Sequence, residues 1–62
     1  MTRQTECAAR AQRALEAYDI DAAHEDALRD LLADLRHYCD KHELDFAFHD
    51  RVAYRNYLEE LK

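Results

Sequence analysis

No glycine, no proline and no serine occur anywhere in this chain. At ordinary usage, roughly seven Gly and Pro residues together would be expected over such a length. Their absence narrows the folds open to it. Tight hairpin turns need positive φ, and glycine is the residue that adopts it at little cost. Gly-rich phosphate loops and dinucleotide fingerprints are excluded, and so is a serine nucleophile. The 62 residues leave room for one domain and no second core. The expectation is one helical domain over residues 1–62, all-α, built as a small three-helix bundle.

Periodicity places the helices. The first is expected over about 5–18, where Cys7, Ala11, Ala14 and Tyr18 repeat on one face with Ala8 and Leu15 beside them. Thr5 is its expected N-cap. Asp19-Ile20-Asp21 breaks the pattern, because Asp favours turns and caps. Asp21 is the expected N-cap of a second helix over about 22–41, with Ile20 packing back on its first turn. Ala27, Leu28, Leu31, Leu32, Leu35, Tyr38 and Cys39 share one arc of that helix and are its expected core face. Without Gly, His42 or a neighbour must close the helix with a poorer residue. Asp45 is the expected N-cap of a third helix over about 46–61. Phe46, Ala47, Ala53, Tyr54, Tyr57, Leu58 and Leu61 cluster on its inward face. Phe48 and Val52 lie together on the other side, as a partner surface or as core of a shorter or rotated helix.

Charge is unevenly spread. The net is −5, with +1 over residues 1–18, −7 over 19–50 and +1 over 51–62. That balance disfavours direct binding to nucleic acid, which runs on Lys and Arg neutralising phosphates. Anionic membrane surfaces are disfavoured too, and no apolar run is long enough for a membrane helix. The N-terminal Met1-Thr2-Arg3-Gln4-Thr5-Glu6 lacks the apolar stretch of a signal peptide, so the expected location is the cytoplasm. Asp26, Asp30 and Asp34 form an i, i+4, i+8 row on the far face of the second helix. Carboxylates one turn apart stand about 6 Å from each other. Such a row resembles the charge spacing of a nucleic-acid strand; it also serves simply to keep a helix solvated.

Other chemistry is weakly represented. Cys39 and His42 stand at i, i+3, and Cys7 and His24 could approach them in a bundle, but no CxxC pair or HExxH motif occurs. The expectation is no metal and no cofactor. Cys7 and Cys39 fall on expected core faces, where thiols are inert, and a bundle this small has little room for a substrate cleft. The chain is therefore expected to have no enzymatic activity.

The stretch Asp30-Leu31-Leu32-Ala33-Asp34-Leu35-Arg36-His37-Tyr38-Cys39-Asp40, followed by Leu44-Asp45-Phe46, resembles small acidic helical proteins of phages and other mobile elements. Their pattern is of the type LLxDLRHxCD, a short turn, LDF and a last helix. The likeness covers about half the chain, from Asp30 onward, and brings no catalytic residue with it. Phe48 and His49 stand where charged residues would be expected. The resemblance implies a gene product that acts on a host protein. In size and charge alone the chain is also similar to anti-CRISPR proteins.

These features together give the expected function. It is a non-enzymatic inhibitor that binds a host protein or nucleoprotein complex with a basic surface. Asp26, Asp30 and Asp34 are the expected charged contacts, and Phe48 and Val52 the apolar ones. The alternative is a structural or accessory homodimer, since a domain of this size is marginal alone.

Overall fold

Alanine is the strongest helix former, and the alanine-rich first segment is α1, Arg3–Tyr18. The computed structural model describes residues 3–62. Met1 and Thr2, part of the stretch read above for a leader, lie outside the described residues. α1 begins before Thr5, which lies within the helix and not at its cap. Arg3 and Gln4 are good helix formers, and the Arg3 guanidinium finds a partner in Glu60, Nη2 to Oε1 3.8 Å.

The first corner differs from the sequence expectation. The Asp19 carboxylate accepts a hydrogen bond from the Asp21 amide at 3.2 Å, a local Asx turn. The turn engages the Asp21 amide while the Asp21 carboxylate caps nothing, and α2 starts later, at His24, and runs to Lys41. Its N-cap is Ala23, whose methyl group can accept nothing. Ile20, expected against the helix, is 68 % exposed.

The second corner is closed on both sides. The Leu44 amide donates to the Cys39 carbonyl at 2.8 Å and the Glu43 amide to the Asp40 carbonyl at 3.4 Å. This is the Schellman pattern that satisfies the last carbonyls of a helix. It requires a left-handed residue just past the cap, and Glu43 takes that place with φ 58°. Asp45 then caps α3, Phe46–Glu60, as the sequence indicates: its carboxylate accepts from the Phe48 amide at 3.2 Å. The Arg36 guanidinium lies 4.3 Å from the centre of the Phe46 ring and ties α2 to α3. The third helix ends one residue earlier than the sequence suggests, with Leu61 as its C-cap.

The fold is all-α, with three helices in chain order among the described residues. α1 packs beside α2, and α2 beside α3. The first turns of α1 meet the last turn of α3, where the Cys7 thiol donates to Glu60 Oε2 at 3.7 Å. The chain thus closes a ring of contacts. Its Cα trace measures 37 × 31 × 15 Å, with a radius of gyration of 13.1 Å. A compact domain of this length would have about 10.5 Å.

A thin plate has consequences for the core. Among the described residues, Ala27 and Cys39 are the buried apolar ones, one near each end of α2. The leucines between them are not inside. Leu28, Leu32 and Leu35 are exposed, as is Tyr38, and Leu31 is half-buried. In α1, Cys7 and Leu15 are half-buried, while Ala8, Ala11, Ala14 and Tyr18 are open. In α3, Phe46 is half-buried and Tyr54, Tyr57, Leu58 and Leu61 are open. The leucine stripe expected from the sequence to lie inside is on the surface instead. The stripe exists, but no second layer of structure closes over it.

Candidate interaction surface

α2 presents two open faces. At 100° per residue, Leu28, Leu32 and Leu35 fall within about 60° of arc. Asp26, Asp30 and Asp34 lie on the far side of the same rod, again within about 80°. The spacing that makes an amphipathic helix also separates these two faces, so a contact on one leaves the other free.

The three aspartates are exposed, and their surroundings differ. Asp26 Oδ1 lies 3.9 Å from Arg29 Nη1, and Glu25 Oε2 lies 3.6 Å from Arg29 Nη2. One cation therefore serves two acids, through solvent-exposed pairs that contribute little stability each. Asp34 accepts a hydrogen bond from the Tyr18 hydroxyl, which links the end of α1 to the middle of α2. That bond, with a smaller desolvation effect and the charges of Asp34, Asp30 and Asp19, pushes the Tyr18 hydroxyl up to about 12. Asp30 has no ion pair among the described residues. The row is thus partly occupied within the chain, with Asp30 at its centre unpaired.

Phe48 and Val52 divide. Phe48 is 48 % exposed, its ring edge-on to His49 with centroids 5.2 Å apart. Val52 is half-buried. Phe48 is therefore available to a partner, while Val52 contributes in part to the chain's own packing.

The sequence reading did not assign the leucine stripe of α2 to the surface, nor the stripe on α3. Tyr54, Tyr57, Leu58 and Leu61 stand at i, i+3, i+4 and i+7 and are 60, 48, 41 and 48 % exposed. The Tyr54 and Tyr57 rings lie 6.3 Å apart, inclined by 25°. Helical spacing marks both stripes as apolar but does not say what covers them. A shallow hollow of about 530 Å³ lies beside the α3 stripe, lined by Asp50, Arg51, Tyr54 and Arg55. A second, of about 290 Å³, lies between Cys7 and Ala8 of α1 and Tyr57 and Leu61 of α3.

Both cysteines are free thiols. Cys39 is buried at the α2–α3 corner, and Cys7 is half-buried against Glu60. Among the described residues, no group of three or more His, Cys, Asp or Glu side chains is placed to hold a metal ion. The His42 ring lies against Tyr38 with centroids 4.4 Å apart and planes tilted by 39°. Among the described residues, no helix is long and apolar enough to cross a membrane.

Comparison of the chain with protein-family models, curated proteins and solved structures gives no match.

Proposed function

We propose that this protein is a non-enzymatic binding module, which acts by covering part of another protein's surface. One observation carries the reading. Among the described residues, twelve large apolar side chains are open to solvent, while the buried ones are an alanine and a cysteine. Exposed apolar residues scattered singly are ordinary. Stripes at helical spacing on two helices are not, because contiguous apolar patches mark contact sites.

The aspartate row supports a narrower reading. It is the inhibitor role, in which Asp26, Asp30 and Asp34 face a basic host surface that otherwise holds nucleic acid, with Phe48 as an apolar anchor. The segment with net charge −7 includes α2, and the row lies opposite the leucines, so the row stays open when the leucines are covered. The resemblance to small acidic proteins of mobile elements points to the same kind of target. Charge complementarity of this type raises association rates and sets specificity more than it adds affinity.

The test is a binding measurement on bacterial proteins retained by the immobilised chain. Reversal of Asp26, Asp30 and Asp34 to Lys should weaken retention at least about tenfold, and added salt should weaken the wild-type interaction, because screening lengths fall to about 8 Å at physiological ionic strength. Equal retention by the reversed and wild-type chains removes the acidic-face reading.

A further inference from the structure

We propose that the leucine stripe of α2 and the tyrosine–leucine stripe of α3 are covered by a second copy of this chain, α3 of each copy lying on α2 of the other. This rests on the binding-module reading and names its occupant. The first argument is area. The chain exposes 5472 Å². A folded protein of 7.4 kDa exposes about 4,200 Å² by the usual scaling of area with mass. The excess is roughly 1,300 Å² per chain. Two copies that removed it would bury roughly 2,600 Å² between them, within the range of obligate homodimers. A small transient partner would leave much of the excess open.

The second argument is charge. A purely basic partner would suit the aspartates and oppose the arginines, yet Arg10, Arg13, Arg51 and Arg55 have no ion pair among the described residues. Arg51 and Arg55 border the Tyr54 stripe on α3 together with Asp50 and Glu60, and Glu25 and Asp40 border the leucine stripe on α2 together with Arg29 and Arg36, each within about 120° of the stripe's centre. Apolar centre meets apolar centre, and both rims carry acids and bases in equal number, which suits a partner of the same mixed charge better than a purely basic one. The two-fold symmetry of a dimer makes this contact twice, since each copy supplies both surfaces. Tyr54 and Tyr57 are well suited to the centre of such a contact, because tyrosine brings a large contact area with few rotatable bonds.

Light scattering on the full chain across a dilution series tests this. The expected mass is twice 7.4 kDa, with dissociation on dilution. Tyr54→Lys and Leu58→Lys should each raise the dissociation constant by about tenfold or more. Should either variant lose its helices, as read by circular dichroism, charge exchange supplies the second test. A chain with Glu25→Arg and Asp40→Arg should pair with a chain with Arg51→Glu and Arg55→Glu more tightly than either pairs with itself. A dimer indifferent to all these changes overturns the assigned faces. A helical monomer at every concentration overturns the inference and leaves the binding-module reading standing. Methyl contacts in solution that pack Leu28, Leu32 and Leu35 inside one chain overturn both.

Discussion

The corner between α2 and α3 carries caps on both sides, whereas the corner between α1 and α2 leaves the N-terminus of α2 with Ala23 and no side-chain acceptor. Both corners are made without glycine, proline or serine. At the second corner, Glu43 accepts the left-handed conformation and Asp45 supplies the capping oxygen. At the first, Asp19 spends its side chain on a turn, and the helices are joined further along by the Tyr18–Asp34 hydrogen bond. A restricted alphabet therefore allows two kinds of reversal: one closed through the backbone, the other tethered by a side chain across the angle.

This contrast is open to direct attack. The largest expected effect is at Asp45. Asp45→Ala should cost about 1–2 kcal/mol, because it orphans an amide at the start of α3. Asp21→Ala, at the cap expected from the sequence for the first corner, should change stability by less than about 0.5 kcal/mol, as it caps no helix. Thermal melts at one fixed chain concentration check the pair, since association between copies shifts apparent stability. About 1 kcal/mol corresponds to roughly 4–8 °C for a domain of this size. Equal losses at the two positions would erase the distinction between the corners.

Next in size is Glu43→Gly, which should stabilise by about 1 kcal/mol by removing the side-chain penalty at positive φ. The melting temperature should rise, and a fall would show that the Glu43 side chain makes a contribution larger than its backbone cost.

The smallest effect is at the tether. Tyr18 titrates at about 12, above the usual 10. A group whose folded value is raised contributes stability that is fully present below the unfolded value and lost as pH rises through the folded one. The α1–α2 corner should therefore loosen across about pH 10 to 12, and be unaffected below that window. Ultraviolet absorbance of the phenolates reads it directly: Tyr18→Phe should delete the late step, and Asp34→Asn should shift it back towards 10.

The corners also show what a sequence discloses. Asp45 was legible because an Asp precedes an apolar-periodic run and no other residue competes for its oxygen. The end of α1 at Tyr18 and that of α2 at Lys41 were legible as the places where apolar spacing stops. The start of α2 was not, since Asp19 and Asp21 look alike in a sequence and only geometry shows which amide each one meets. Leu28, Leu32 and Leu35 were read correctly as one face and wrongly as interior. Spacing reports which side chains travel together around a helix; burial depends on a neighbour that periodicity does not name. The aspartate row was placed on the right face, but its tie to Tyr18 crosses between helices and leaves no trace in local pattern.

Glu60 receives both Arg3 and Cys7, and so joins the first turns of α1 to the last turn of α3. Such a clasp is weak: an exposed ion pair contributes about 0–1 kcal/mol, at most a several-fold bias between fastened and unfastened forms. The leading turn of α1 should accordingly swing free and return many times before the rest of the chain unfolds. Deuterium should enter its amides well ahead of those in the middle of α2.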